Sequence, residues 1–508
     1  MGSLAGWRAR LAHKPPGYRY TIGRILAIYA GLMVTLMLAT LDQTIIATAL
    51  PTIVSDLGGL TSYTWVITAY LLTTTVTVPL YGKLGDIYGR RRLFIASIAI
   101  FLVGSVLCGV AQNMIQLVVF RGIQGLGAGG IFPLALATVA TIVPPRDRGR
   151  YQGLIGSSFA AASILGPTLG GFIVDTASWR WIFYVNVPVG GLALVVIWLT
   201  MPREAESVPR SVDYLGAALL GAGTAALMLG LVWGGREYPW VSAPVLGSLA
   251  GAAVLLSLFA VVELRVPETI LPFDLLRRRT VAGGVAAITL VGMAMLGTIA
   301  FVPLFVQAVI GTSATASGVV LTPFMLAAVL ASVLSGQWIS RSGRYKPNAI
   351  LGPVVLGAAL FGLSRLDETA TRADVALYAV VAGAGLGLMM QTFVLAVQNA
   401  VPVSRVGSAT ALVQFARSIG GTLGITIMGV IVSQGLPAGT GSRAPGVDRL
   451  PPGLRAELAD AMQPAFLASA CICVVALLVV VFVMRELPLR RDFEEPVLEP
   501  VPLTSGPR

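Results

Sequence analysis

The sequence predicts an all-α membrane protein: two matching six-helix bundles with two further transmembrane helices inserted between them, fourteen spans in all. Three observations carry this. Of 508 residues, 56% are hydrophobic and only 11% charged, with a mean hydropathy of +0.83, so a water-soluble globule could not cover its surface with polar groups. Apolar runs of about 20 residues, the length needed to cross hydrocarbon, recur along the chain. The loop Gly82-Lys-Leu-Gly-Asp-Ile-Tyr-Gly-Arg-Arg-Arg92 returns as Gly336-Gln-Trp-Ile-Ser-Arg-Ser-Gly-Arg-Tyr-Lys346, and at the same offset Gly153, Gly166, Thr168, Leu169 and Gly170 return as Gly407, Gly420, Thr422, Leu423 and Gly424.

The chain opens on a basic tail, residues 1–24, with Arg8, Arg10, Lys14, Arg19 and Arg24. The apolar run after it is too long for a signal peptide and lacks a small-residue cleavage site, so it stays as the first helix. Spans 25–50, 62–81, 93–111, 116–143, 152–174 and 180–201 form the first bundle, residues 25–201. Residues 202–280 join the halves through two extra spans, 212–233 and 242–263, which lie outside the repeat. Spans 281–310, 315–339, 348–364, 374–400, 406–434 and 464–484 form the second bundle, residues 281–485. Its longest outside loop, 435–463, carries Pro437, Pro445, Pro451 and Pro452, with a short helix expected near Leu454–Met462. Residues 486–508 read as a charged, disordered tail.

An even number of spans places both termini on one side. Loops on that side, tails included, hold most of the 35 Lys and Arg residues, so that side is expected to be cytoplasmic. The net charge of +12 is therefore topogenic and implies no nucleic-acid partner. Cys108, Cys471 and Cys473 lie within apolar runs, without zinc-site spacing or an even disulfide count. The only histidine, His13, sits in the basic tail, and no nucleotide-binding loop is present. These features argue against an enzyme and against any cofactor or metal, and leave a proton gradient as the energy source. Two duplicated membrane halves with one basic loop each outline a secondary transporter.

Asp42 is the only carboxylate well inside an apolar span, and an intramembrane ionisable residue reads first as functional. It lies 18 residues beyond Arg24, about 27 Å of helical rise, in the outer third of the bilayer. Burial favours its protonated form, suiting it to load a proton from outside; the competing reading is a helix-end cap hydrated from outside. Arg121 lies at a matching depth, able to tune the carboxylate or to bond carbonyls of span one. Arg417, 12 residues past Arg405, falls near the midplane and reads as a cavity residue, with Gln307, Gln391, Gln398 and Gln414 as weaker cavity candidates or interhelical glue.

The loop Gly82–Arg92 with its partner copy resembles the signature between helices two and three of the major facilitator superfamily. Gly153, Ala162, Gly166, Pro167, Gly170 and Gly171 resemble that superfamily's antiporter signature. Leu117–Gly127 resembles the superfamily's helix-four motif, and Leu41-Asp42-Gln43-Thr44-Ile45-Ile46, Trp65–Leu72 and Trp179–Gly190 are similar to segments of its fourteen-helix drug:proton antiporters. Ile87, Ala162 and Ala47 stand where those patterns have a basic residue, a glycine and an asparagine. The resemblance implies a major facilitator fold and a proton-coupled exporter of small amphipathic molecules in a bacterial plasma membrane, a monomer with protons and the bilayer as its other partners. It implies that Asp42 and Arg121 handle protons, and that Gly82, Asp86, Gly89, Arg90 and Arg91 with Gly166, Pro167 and Gly170 switch the conformation. Export of a lipid or a self-made antibiotic by the same fold, or a transporter-like sensor or scaffold, stand as alternatives.

Overall fold

The computed structural model describes residues 13–14, 18–57, 63–202, 213–235, 237–266, 269–271, 273–311, 314–435 and 452–489; of some helix residues within these, Pro167 and Thr168 among them, only the backbone is described. The described residues form long helices because a segment in hydrocarbon must satisfy its backbone internally. In chain order these are α1 (Ile22–Leu57), α2 (Tyr63–Tyr88), α3 (Arg90–Gly109), α4 (Met114–Ile142), α5 (Pro145–Thr176), α6 (Trp181–Thr200), α7 (Tyr214–Trp233), α8 (Ala243–Glu263), α9 (Arg279–Ala308), α10 (Ala314–Ser342), α11 (Lys346–Leu363), α12 (Arg372–Asn399), α13 (Val406–Gly435) and α14 (Pro452–Phe482). Twelve of them contain a described stretch long and apolar enough to cross a membrane. The other two, threonine-rich α2 and α5 with its charged first turns, pack within the first bundle against α4 and α1.

Local signals set several helix starts. Asn113 accepts the Gln116 N–H, Asp213 accepts that of Gly216, and Thr371 with Asp374 closes a capping box. Prolines 79, 133, 303, 323, 353 and 464 sit inside helices, as neighbouring helices in a membrane bundle allow. Small residues permit close contact: a Cβ on Gly127 would strike the Phe101 and Ser97 backbone of α3, and one on Gly129 would strike Thr77 of α2.

The duplication is visible in the packing. Gly166 seats α5 on Thr44 of α1, and its repeat mate Gly420 seats α13 on Thr289 of α9. The bundles meet along two seams, α2 with α13 and α5 with α10. The two inserted helices pack on each other, and α7 also lies on α2 and α13, where Val78, Leu220, Phe259, Ala411, Leu412 and Phe415 share one apolar cluster.

Several boundaries differ from the sequence expectation: α2 runs to Tyr88 instead of ending at 81, so that of Gly82–Arg92 only Gly89 lies between helices, and α5 starts at Pro145 instead of 152. α1 continues through Pro51 to Leu57, well beyond residue 50. The helix expected to stand alone near Leu454–Met462 is the first part of α14, which starts at Pro452, so the outer loop ends earlier than residue 463. Hydropathy sees the apolar stretch of a helix and misses its polar turns, which hold Arg455, Glu457 and Asp460. The start of the C-terminal tail is docked rather than loose: Thr280 and Tyr345 donate to Arg485 O, the Leu487 N–H donates to Tyr345 OH, and Asn399 Nδ2 donates to Pro488 O. Residues 436–451 and 490–508 lie outside the described residues.

Candidate functional site

The first site is a polar cluster sealed inside the first bundle. Asp42 sits in mid-helix on α1, fifteen residues before its end at Leu57 and 3% exposed, which disposes of a hydrated helix-end cap. Arg121 of α4, 1% exposed, reaches it with Nη1 2.7 Å from Asp42 Oδ2. The other carboxylate oxygen, Oδ1, accepts from Gln124 Nε2 at 2.9 Å and Asn186 Nδ2 at 2.8 Å. The cation is itself held: Nη1 also donates to Gln124 Oε1 at 2.7 Å, Nε donates to Val66 O at 3.4 Å, and the guanidinium lies 4.2 Å from the Tyr70 ring centroid. Asn186 extends the network to Ser105 of α3, whose hydroxyl donates to Phe183 O.

Three donors, one of them a cation, surround this one carboxylate and occupy both of its oxygens. Protonating Asp42 would cancel the ion pair and leave some of these donors without an acceptor. The cluster therefore ties one carboxylate to contacts among α1, α3, α4 and α6. Gln124 and Asn186 were not singled out from the sequence, although both lie within the resemblance segments; an uncharged amide in a membrane helix looks like ordinary glue.

The second site is the junction of the bundles, on the side where α1 begins and α6 ends, marked by the Arg24 Nε to Thr200 O bond. Asp86, near the end of α2, accepts from Arg90 Nη2 at 2.7 Å, from the N–H groups of Gly407 and Ser408 at 3.1 and 2.7 Å, and from Ser408 Oγ at 2.9 Å. Those N–H groups belong to the first turn of α13, so an anion from one bundle caps a helix of the other. Arg90 Nη2 also donates to Val403 O across the seam, whereas Arg91 donates to Trp198 O within its own bundle. Gly82 lets α2 lie directly on Ala411 and Gly407.

At the pseudo-symmetric seam Gly336 lies on Gly149, and Ser340, standing where the first copy has Asp86, accepts from the Arg150 N–H through Oγ and from Arg146 through its carbonyl. Deeper in, Gln152 Nε2 donates to Gln398 Oε1 at 2.8 Å, and Gln398 Nε2 donates to Thr410 Oγ1 at 2.9 Å. Arg148, fully buried, bonds the carbonyls of Ala140 and Val143 at the end of α4, a cation at a helix C-terminus.

Gly89 has φ +89°, in the region open to glycine, and its repeat mate Gly343 has φ +73°. Gly89→Val is expected to cost about 1–3 kcal/mol in that turn and to slow transport far more than it weakens substrate binding. Comparing ligand binding in detergent with transport by reconstituted protein checks this; equal losses would place the effect elsewhere.

Arg417 lies on α13 two turns beyond Thr410 and so on the same face, where Thr410 meets Gln398 and the Arg417 backbone packs on Gly292 of α9, both in its own bundle. It is partly exposed and has no hydrogen-bond or ion-pair partner among the described residues. Gln414 shares this stripe and is 5% exposed. Gln391 sits at the break within α12, 8% exposed with Oε1 unpartnered among the described residues, and Gln307 is partly exposed near the far end of α9. The structure does not bring these glutamines together with Asp42. Gly166 and Gly170 are buried in α5, while the Pro167 side chain lies outside the described residues.

A family model described as Major Facilitator Superfamily matches residues 32–425. The chain belongs to this superfamily. Within it, "Multidrug transporter protein MdtP" of Bacillus subtilis (strain 168) is 38% identical over 410 residues, 80% of this chain and 75% of that protein. "Multidrug resistance protein 3" of the same organism is 35% identical over 404 residues, 80% and 79% of the two chains. Among solved structures, the major facilitator proton:xylose symporter XylE bound to 6-bromo-6-deoxy-D-glucose aligns with a TM-score of 0.65 over 94% of this chain and 98% of that one, at 14% identity, a likeness of fold alone. The chain is thus a multi-pass membrane transporter of the major facilitator type.

Proposed function

We propose that this protein is a proton-driven antiporter exporting small amphipathic compounds across a bacterial plasma membrane by alternating access. The observation that carries the reading is the buried Asp42–Arg121 pair, an isolated titratable group tied to four helices of one bundle. The excess of Lys and Arg on the terminal side favours a cytoplasmic location for the termini, which makes the Asp86 seam a cytoplasmic latch and this conformation the one sealed toward the cytoplasm. Substrate enters after the latch opens with Asp42 ionised, the bundles rock, and a proton taken from outside resets the carrier. The relatives named as multidrug transporters support a broad apolar substrate class. The test is uphill movement of a fluorescent amphipathic dye in proteoliposomes: an imposed pH gradient should drive it, and dye flux indifferent to that gradient would refute proton coupling.

Both oxygens of Asp42 are occupied inside the bundle, so no free carboxylate from that pair faces the seam, and on this reading the partly exposed Arg417 supplies a positive charge to the substrate cavity. Neutral and monovalent compounds should therefore be exported in preference to dications, whose burial without a counter-charge costs several kcal/mol. Arg417→Ala is expected to raise efflux of monocations relative to neutral compounds by roughly tenfold, about 1.4 kcal/mol of removed repulsion. Competition assays with matched dye pairs would show it, and an unchanged ratio would assign Arg417 to packing.

A further inference from the structure

Asn186 is fully buried, and its amide is used on one side only. Nδ2 is shared between Asp42 Oδ1 and Ser105 Oγ, whereas Oδ1 has no hydrogen-bond partner among the described residues. An orphaned buried oxygen in a polar cluster calls for an explanation. The present orientation is what an ionised Asp42 requires, because a turned amide would aim its oxygen at a carboxylate oxygen. The other amide at the site is pinned: Gln124 Oε1 accepts from Arg121, so turning it would point N–H groups at a cation. Asn186 has no such anchor, and a newly formed Asp42 hydroxyl needs an acceptor.

We infer that the Asn186 side chain reads the protonation state of Asp42, donating to the carboxylate when it is ionised and turning to accept from it when it is protonated, and that this reversal passes the change to α3 and α6. In the turned state Oδ1 accepts the Asp42 hydroxyl, and the Nδ2 hydrogens point where Oδ1 now lies, a place with no polar neighbour among the described residues. Ser105 then loses its present donor and turns its own hydroxyl from Phe183 O toward the amide oxygen. The protonated site is thus poorly satisfied in this conformation, which favours movement of α6. Phe183 and Asn186 flank Val185, where the helical run of α6 is interrupted. The other charged or titratable groups acting on the site are Arg121 of α4, Tyr70 of α2 and Cys108 of α3.

The inference rests on the reading of Asp42 as the proton carrier, and its test separates the two. The full-length protein is reconstituted with carbon-13 in its asparagine side-chain amides, at Asn113, Asn186, Asn348 and Asn399. Infrared difference spectra between high and low pH should show one asparagine carbonyl band shifting, and the shift should vanish in Asp42→Ala. In Asn186→Leu, which removes one charge-assisted donor from the ionised form, the pH of half-maximal efflux should move upward by about one unit. A silent asparagine band in the unmutated protein, a band shift that survives in Asp42→Ala, or an unmoved pH profile in Asn186→Leu would each overturn the inference. Uphill efflux retained by Asp42→Ala would instead remove the reading of Asp42 itself. Should Asn186→Leu fail to reach the membrane, the spectra of the unmutated protein decide the matter alone.

Discussion

Asp42→Asn is expected to abolish uphill efflux driven by a pH gradient while leaving downhill substrate exchange in place. Asparagine matches the carboxylate in shape and can still accept from Arg121, so the cluster keeps its packing. What is lost is the titratable group, together with the counter-charge for a cation that is 1% exposed. Breaking a buried pair by removing one partner costs about 3–5 kcal/mol in the worst case, so a lowered melting temperature should accompany the loss. Two assays on one preparation of proteoliposomes separate the effects: counterflow of labelled against unlabelled substrate, and accumulation after an acid or alkaline jump. A variant that still concentrates substrate against its gradient would rule Asp42 out as the coupling group, and one that loses both activities would reduce it to a structural role.

Gly82→Val should shift the carrier away from the conformation described above. A Cβ at residue 82 would strike the Ala411 methyl and stand 3.0 Å from Gly407 O, and α13 cannot retreat without pulling Gly407 and Ser408 off Asp86. Overpacking of this kind costs about 1–3 kcal/mol, which corresponds to roughly tenfold or more in the balance between the two states. Spin labels at the exposed residues Arg92 and Arg405, on opposite bundles, should report a longer and broader distance distribution than in the parent, with transport largely lost. An unchanged distribution would mean that the seam yields elsewhere and that Gly82 does not set the closure.

The fold was legible because hydrocarbon leaves the chain few choices. Apolar runs must become helices, and a duplication visible in the segments that open at Gly82 and Gly336 divides them into two bundles. Helix ends were less legible, since α1 carries on through Pro51 and α14 begins among charged residues that no hydropathy window favours. Asp42 and Arg121 stood out because a charge inside an apolar span is conspicuous, and matching depths pointed to the pairing that the structure displays. Gln124, Asn186 and Ser105 did not, because uncharged polar residues are common in membrane helices and only the crossing of α1, α3, α4 and α6 brings them to one carboxylate. The partners of Asp86 were hidden for a related reason: the repeat equates α2 with α10 and α5 with α13, but which helix of one half caps which residue of the other is decided by docking.

The closure between the bundles occupies little of the membrane's thickness. On α5 its bonds run from Arg146 to Gly153, about 10 Å of helical rise, against about 30 Å of hydrocarbon. A transmembrane voltage falls mainly across whatever stretch water does not enter, and each unit charge carried across it exchanges about 2.3 kcal/mol per 100 mV. Were water to enter between the bundles as far as the closure, that work would be concentrated in a plug about one-third as thick as the bilayer. Asp42, about 30 Å of rise beyond the start of α1, lies past the plug on the opposite side, so under the proposed cycle loading a proton there would involve little of the field. The electrical step of the cycle then belongs to the rocking of the bundles, and voltage should alter turnover more than it alters the proton occupancy of the carrier.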